Sequence, residues 1–214
     1  MNKNISSEFL QKKFNEALDN IKNNNFIEAL NKFENLNSYK KKDPELLSLI
    51  SFCYYNINNY TKAEKYISKA IALDSNKVGY YLNKGNILKG QKKILEAEKI
   101  YLESIKLFKN SAKLYYNLGV LYFDQYKYDL AIKYYKKSLL IDSKNKFTLN
   151  NMGSTIKKLG NFKKSKECYK RAILIDPFFS EAQHNLSFLL LSEGQFIEGW
   201  SKLESRKKAL DIKK

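Results

Sequence analysis

The chain has 214 residues, of which 43% are hydrophobic, so it is long enough to bury a sizeable core. Its 8 Gly and 2 Pro leave too few turns for an all-β fold, and no run approaches the roughly 18 apolar residues of a membrane-spanning helix. The formal net charge is +17, carried almost entirely by scattered lysines, with Arg171 and Arg206 as the only arginines. This pattern favours a general basic surface over a nucleic-acid site, and a polyanion-binding surface stays open as a third interpretation.

The two cysteines indicate the compartment. Cys53 and Cys168 are solitary, no CxxC spacing exists, and each lies within an apolar helical pattern. We therefore expect buried structural thiols in a reducing compartment, with no metal and no cofactor. The first residues, MNKNISSEFLQKKF, lack the apolar core of a signal peptide, so the expected location is cytoplasmic.

One pattern recurs every 34 residues along the chain. An aromatic residue or isoleucine is followed three places later by a small residue, and a second column of small residues precedes this pair by the same distance in each copy. The first residues of the pairs are Phe26, Tyr60, Ile94, Tyr128, Phe162 and Phe196, and the small residues that follow them are Ala29, Ala63, Ala97, Ala131, Ser165 and Gly199. The preceding column is Ala17, Ser51, Gly85, Gly119, Gly153 and Ser187. Apolar residues at helical spacing surround both columns, so each unit is predicted to contain two amphipathic helices, A and then B.

These columns divide the chain into six units after a lead-in over residues 1–9. The units are residues 10–43, 44–77, 78–111, 112–145, 146–179 and 180–213. Turns between helices A and B are predicted at Asn23–Asn25, Asn58–Asn59, Gly160–Asn161 and Gly194–Gln195. Asp43-Pro44 and Asp176-Pro177 are each predicted to cap a helix whose first residue is the proline. Short residues let antiparallel helices approach closely, so the aromatic stripe Phe33, Tyr101, Tyr135 and Tyr169 is interpreted as core packing.

The pattern resembles the tetratricopeptide repeat family. The fourth unit shows it best, with Tyr115-x-x-Leu118-Gly119-x-x-Tyr122 followed by Ala131-x-x-x-Tyr135. The resemblance implies an all-α, right-handed α-solenoid of six antiparallel helix pairs over residues 10–213, the last pair acting as a cap. The first unit departs from the pattern, since Lys13, Glu16 and Asn20 stand where large apolar residues are usual. A second copy of the chain could cover that face, so a homo-oligomer is one open alternative.

The last unit carries a further resemblance. Glu198-Gly199-Trp200-x-x-Leu203-Glu204-x-Arg206 is similar to the closing segment of a bacterial subgroup in which tetratricopeptide repeats precede a glycosyltransferase-like domain. The sequence stops eight residues after Arg206, so the catalytic domain implied by that subgroup is absent from it. Two interpretations stay open: Trp200 caps the last helix pair, or the chain recruits substrates for a sugar transferase carried on another chain.

The resemblance also implies a binding surface, because helix A of each repeat lines a concave groove. The sixth place of the unit faces this groove and is asparagine in units three to six: Asn83, Asn117, Asn151 and Asn185. A carboxamide both donates and accepts, so such a row suits the backbone of an extended polypeptide, as in the superhelical repeats of O-linked N-acetylglucosamine transferases. Bonding to neighbouring groups within the fold is the alternative role for these asparagines.

Other residues at groove places are Lys89, Lys113, Tyr116, Phe123 and Lys157. Cations between aromatic faces lead us to expect partners with acidic or aromatic side chains. A catalytic site is not expected, because His184 is the only histidine and no Gly-rich phosphate loop is present. The leading interpretation is a non-catalytic protein-binding scaffold.

Overall fold

A computed structural model describes residues 7–39 and 42–211, excluding the side chains of Lys202 and of residues 205–211. Within these residues the chain forms twelve α-helices and no strand, as the repeat predicts. The helices are α1 (Ser7–Lys22), α2 (Phe26–Tyr39), α3 (Pro44–Asn56), α4 (Tyr60–Leu73), α5 (Val78–Gly90), α6 (Ile94–Leu107), α7 (Ala112–Asp124), α8 (Tyr128–Ile141), α9 (Lys146–Lys158), α10 (Phe162–Ile175), α11 (Ser180–Ser192) and α12 (Phe196–Asp211). Odd-numbered helices are the A helices and even-numbered ones the B helices.

The helices form two compact units, divided between Leu107 and Phe108. Each unit contains three helix pairs. In both, every A helix packs on its own B helix, and the B helix packs on the A helix that follows it within the unit. No helix in the described part of the chain is long and apolar enough to cross a membrane.

The predicted turns within the repeats are confirmed. Asn24, Asn58, Gly160 and Gly194 have positive φ angles of 59°, 60°, 78° and 76°, a conformation that asparagine and glycine adopt most readily. The next residue then caps helix B in two repeats: the Asn59 side chain accepts from Lys62 N–H, and that of Asn161 from Lys164 N–H.

One of the two predicted proline starts is correct and the other is wrong. Asp43 caps α3, with its carboxylate accepting the N–H groups of Glu45 and Leu46, and Pro44 is the first helical residue. Asp176 instead ends α10, and α11 begins only at Ser180. The Asp176 carboxylate accepts from Phe178 N–H at 2.9 Å, and the Phe179 ring is buried 5.2 Å from the ring of Phe147. Asp74 and Asp142 end α4 and α8 in the same way, so Asp176 belongs to the end of a B helix, and α11 starts in register with the other A helices.

The small-residue columns face the aromatic stripe, as predicted. A Cβ on Gly119 would lie 2.5 Å from a carbon of the Tyr135 ring, and one on Gly153 would lie 2.8 Å from the ring of Tyr169. Both tyrosines are buried, so neither ring has room to give way. Cys53, in the first unit, and Cys168, in the second, are buried free thiols, and burial raises the pKa of Cys53 to about 12.

The first helix pair retains the polar residues that set its sequence apart. The carboxylate of Glu16 pairs with Lys13 at 3.2 Å and with Lys32 at 3.3 Å, and these two bonds lower its pKa. The amide nitrogen of Asn20 is buried without a hydrogen-bond partner. A buried, unsatisfied amide costs about 1–3 kcal/mol, so Asn20 lowers the stability of this helix pair.

Candidate functional site

The four asparagines of the predicted row occupy equivalent places. Each is the sixth residue of its A helix and is half-buried: Asn83 on α5, Asn117 on α7, Asn151 on α9 and Asn185 on α11. The sixth residue of an A helix therefore lies neither in the core nor fully in solvent.

Three of these asparagines are tied to the preceding A helix by one rule. Each donates from its side-chain nitrogen to the residue 35 places earlier, the fifth residue of that helix. Asn151 reaches the Tyr116 hydroxyl at 3.0 Å, Asn185 reaches Asn150 Oδ1 at 2.9 Å, and Asn83 reaches Ser48 Oγ at a longer 3.4 Å. These three asparagines therefore bond to neighbouring groups within the fold, which was the alternative role left open by the sequence. The bond of Asn83 is the longest and therefore the weakest.

Asn117 is the exception among the four asparagines. Within the described residues, the Asn117 side chain makes no hydrogen bond. Its donors and acceptor are consequently uncommitted to the fold.

In the second unit the bonds join into one chain across three A helices. Asn185 donates to Asn150, Asn150 donates to Asn151 Oδ1 at 3.3 Å, and Asn151 donates to the Tyr116 hydroxyl. Each carboxamide uses only one of its two N–H groups in this chain, and Asn185 Oδ1 remains as an acceptor at one end. At the other end, burial raises the pKa of Tyr116 more than the Asn151 bond lowers it, so the hydroxyl keeps a proton to donate.

A cavity of about 620 Å³ lies against this network, and we call it the polar cavity. Its walls come from the same three A helices and from one residue of α8. The lining residues are Val120, Phe123, Asp124, Tyr135, Asn150, Asn151, Ser154, Ser180, Glu181, His184 and Asn185. Its volume falls in the range of about 300–1,000 Å³ that is typical of ligand pockets.

The ionisable residues that line the polar cavity differ in kind from those of the chain as a whole, in which lysine predominates. Its ionisable lining residues are Asp124, Glu181, His184 and Tyr135, and no described lysine or arginine lines it. Burial raises the pKa of the Tyr135 hydroxyl, and the nearby Tyr116 and Asp124 raise it further.

The structure places some of the predicted groove residues at the polar cavity and others outside its lining. Phe123 lines the polar cavity, and Tyr116 ends the hydrogen-bond chain beside it. Lys113 and Lys157 lie on α7 and α9, and Lys89 lies on α5, but none of the three lines the cavity. The three predicted groove lysines are therefore not among the lining residues of the polar cavity, and their place in the groove stays a prediction.

Several lining residues were missed from the sequence. Asn150, Ser154, Asp124, Glu181 and His184 are all at A-helix places that the repeat turns toward the groove. The signal was present at the fifth place, where Ser48, Tyr116, Asn150 and His184 are polar. A search for polar pairs 35 residues apart, rather than 34, would have found the network.

Between α3 and α5 of the first unit the corresponding depression is much smaller, and we call this part of the first unit the closed face. Phe52, Tyr55, Asn83, Asn86 and Ile87 surround a gap of only about 30 Å³, close to the space of one water molecule. Asn86 is occupied by the Tyr101 hydroxyl, which donates to it at 2.7 Å.

The structure gives the surroundings of the closing segment and shows whether side chains are grouped to bind a metal ion. Gly199 is buried against Leu191, whereas Trp200 is 60% exposed; the side chain of Arg206 lies outside the described residues. Among the described residues no three His, Cys, Asp or Glu side chains are grouped so that they could hold a metal ion.

Comparison with known proteins agrees with this architecture. Sequence profiles described as tetratricopeptide repeat match residues 44–77, 78–111, 112–145 and 148–179. The tetratricopeptide repeat-containing protein trd-1 of Caenorhabditis elegans is 35% identical over 78 residues, which cover 36% of this chain. The match spans only 10% of that relative's own length.

Solved structures show the same fold at low sequence identity. Yeast Tom70 aligns with a TM-score of 0.79 and 17% identity, over 95% of this chain and 46% of that one. A thermophilic repeat protein of Thermus thermophilus gives 0.74 and 15%, over 85% and 99% of the two chains, and pilF of Pseudomonas aeruginosa gives 0.74 and 17%, over 93% and 90%. The chain belongs to the tetratricopeptide repeat family, which is generally non-catalytic and typical of protein-interaction scaffolds.

Proposed function

We propose that this chain is a non-catalytic scaffold that holds an extended polypeptide segment against its A helices, with the polar cavity as the principal contact. The observation that carries the proposal is the cavity itself. Three consecutive A helices leave an open, polar depression whose carboxamides are held in place by one another. Because the network fixes these side chains before a ligand arrives, little conformational entropy is lost when one binds.

The size of the expected interactions explains why a cavity is needed. One hydrogen bond to a peptide backbone contributes about 0.5–1.5 kcal/mol, so four asparagines alone would give about 2–6 kcal/mol. That corresponds to dissociation constants in the millimolar to high-micromolar range, roughly, before ordering costs. A side chain of the peptide seated in the polar cavity would supply the remainder.

The ninth place of the A helix offers a sharp test. It is Ser154 in the polar cavity but Phe52 on the closed face of the first unit, so the repeat accommodates phenylalanine there. Ser154→Phe should fill the cavity. Ser154→Ala is the control: it removes the hydroxyl, which lies 3.1 Å from the Tyr169 hydroxyl, and leaves the cavity unfilled.

The probe is a library of random twelve-residue peptides displayed on phage and selected against the wild-type chain. We expect a peptide family to be enriched, its affinity to fall at least tenfold with Ser154→Phe, and to stay within about twofold with Ser154→Ala. Equal affinity for the filled and wild-type chains would show that the polar cavity is not the binding site. Circular dichroism and urea unfolding verify that both variants are folded.

A narrower form of this function is recruitment of substrates to a sugar transferase on another chain, in the cytoplasm. Trp200 supports it, because this part of the closing segment is exposed and accessible to a further protein. Co-purification of a sugar transferase from the native cell, lost with Trp200→Ala, is the expected result. Purification of the tagged chain without any transferase would contradict this narrower role and leave peptide binding unaffected.

A further inference from the structure

We infer that the second unit carries a surface that binds an anionic lipid membrane, formed by the C-terminal ends of the B helices α8 and α10. We call this surface the leucine patch, and its residues are Lys136, Lys137, Leu140, Ile141, Lys170, Arg171, Leu174 and Ile175. The inference goes beyond the proposed function, because the polar cavity is lined by A helices apart from Tyr135, and none of the patch residues lines it.

Two leucines of the patch project almost fully into solvent. Leu140 is 85% exposed and Leu174 is 83% exposed, and Ile141 and Ile175 beside them are also exposed. The two leucines are 34 residues apart, at equivalent places of two helices that both pack on α9. Equivalent residues of successive repeats face the same side, so the two leucines form one apolar surface. A single exposed leucine is common, whereas a shared apolar surface of this kind marks an interaction site.

A pair of cations precedes each leucine by one helical turn. The pairs are Lys136-Lys137 before Leu140 and Lys170-Arg171 before Leu174. Residues three and four places apart lie on the same face of a helix, so each leucine shares its face with two positive charges. Among the described residues, Lys136, Lys170 and Arg171 form no ion pair, and Lys137 lies over two tyrosine rings. Apolar side chains with lysine and arginine beside them are typical of helices that bind at the headgroups of anionic membranes.

Carboxylates near the patch do not cancel this charge. Glu167 lies one turn before the cations of α10. The carboxylate of Asp142, which ends α8, accepts from the backbone N–H of Lys144 and from the side chain of Asn145. Cations therefore outnumber carboxylates around the two leucines.

The equivalent B helices of the first unit lack this combination. The place of the leucine is occupied by Ala72 on α4 and by Lys106 on α6, and the second cation of the pair is replaced by Glu103 on α6. The last residues of these helices, Leu73 and Leu107, are apolar and exposed in the first unit as well. An apolar last residue therefore belongs to the repeat, whereas the projecting leucine with its two cations is particular to the second unit.

Shape and charge favour a lipid surface over a protein at the leucine patch. A side chain that is 85% exposed projects from the surface rather than lining a groove, and peptides gain most of their affinity in concave sites. A bilayer surface accepts protruding apolar side chains, and its anionic headgroups attract the adjacent cations. Two copies of the patch facing each other would bring lysines against lysines, which opposes a dimer through this face. Binding of this kind needs no membrane-spanning helix.

The first test is co-sedimentation of the whole chain with vesicles of equal parts phosphatidylcholine and phosphatidylglycerol, at about 0.15 M salt. A chain of net charge +17 attracts any anionic surface, so the decisive variant, Leu140→Gln/Leu174→Gln, leaves the charge unchanged. It should lower the partition coefficient about tenfold, whereas the matched first-unit variant, Leu73→Gln/Leu107→Gln, should stay within about twofold of wild type. All four leucines are exposed and glutamine is a good helix former, so both variants are expected to fold, as circular dichroism will verify.

A second pair of variants tests the cations of the patch. Lys136→Gln/Lys170→Gln should weaken vesicle binding about tenfold, because lysines close to an anionic surface are attracted to it directly. Lys65→Gln/Lys99→Gln removes the same charge from exposed places of α4 and α6. That control should change binding by no more than about twofold, because charges more than a Debye length of about 8 Å from the lipid are largely screened.

Equal losses from the two leucine variants, or from the two lysine variants, would show that only the general charge of the chain acts, and would overturn the inference. A wild-type chain that stays in solution with the anionic vesicles would overturn it too. If the leucine variant then fails to capture a protein that the wild-type chain captures from native lysate, the patch binds a protein instead. Sedimentation velocity without vesicles should give the same oligomeric state for both chains, and a dimer present only in the wild-type chain would assign the patch to a second copy.

Discussion

The face around Asn83 and the face around Asn151 and Asn185 are built from the same repeat, yet one is closed and the other is open. Around Asn83, Phe52 and Tyr55 leave room for about one water molecule. Around Asn151 and Asn185 a cavity of about 620 Å³ remains. Both faces have an asparagine at the sixth place of the A helix, so this asparagine alone does not create a binding site.

The difference comes from its neighbours at two places of the A helix. At the ninth place the closed face has Phe52, whereas the open face has Val120 and Ser154. At the fifth place the open face has Asn150, which anchors the network, where the closed face has Ser48 at the end of a 3.4 Å contact. The repeat fixes where the helices lie, and the side chains at these two places determine whether a ligand has space.

The largest expected effect on stability is on the closed face. Phe52→Ser should remove the ring that fills this face and leave space there, as Ser154 does on the open face. Phe52 packs edge-on against Phe26, with ring centroids 6.0 Å apart. Removing a half-buried ring should lower the free energy of unfolding by about 2–3 kcal/mol, below the cost for a fully buried phenylalanine. Urea unfolding measures this change. A loss under about 0.5 kcal/mol would mean that Phe52 does not fill the face.

Next in size is the anchor of the network. Asn150→Ala removes an acceptor from Asn185 and a donor from Asn151, which should cost about 1–2 kcal/mol of unfolding free energy. Ser48→Ala is the matched control at the same place of the closed face, and its long contact predicts a loss of no more than about 0.5 kcal/mol. Equal losses from the two substitutions would contradict the distinction between the two faces.

The general architecture was predictable from the sequence because helical periodicity and small-residue columns are properties of single helices and their nearest partners. The turn at Asn24, the cap at Asp43 and the contact between Gly119 and Tyr135 all follow from residues that act locally or within one repeat. The start of α11 at Ser180 follows from the same period, since it lies 34 residues after the start of α9, whereas the local Asp176-Pro177 pattern predicted a helix start that is wrong.

The site was predicted only in part. The sixth-place asparagines were found because they repeat every 34 residues, but their partners lie 35 residues away, at the fifth place of the preceding A helix. The groove places of Lys89, Lys113 and Lys157 stay a prediction, because helical spacing gives the face on which a residue lies but not which depression it borders. Asp124 and Glu181, on the first and third of these A helices, are brought together only by the fold.

The smallest effect on stability is expected at Asn117, the asparagine without a partner. Asn117→Ala should change the unfolding free energy by no more than about 0.5 kcal/mol, whereas Asn151→Ala should lower it by about 1 kcal/mol, because only Asn151 has a hydrogen bond to lose. Differential scanning calorimetry of the two variants provides the comparison. A larger loss at Asn117 than at Asn151 would show that the 35-residue rule does not account for the stability of these helices.

The most direct test of the account is to observe the asparagine side chains while a peptide binds. In a chain labelled with ¹⁵N-asparagine, the selected peptide should shift the carboxamide signals of Asn150, Asn151 and Asn185, which line the polar cavity. The signals of Asn83 and Asn86, on the closed face, should stay in place. Shifts confined to Asn83 and Asn86, or saturation binding with no shift at the three cavity asparagines, would contradict the claim that the open face of the second unit is where this protein binds its partner.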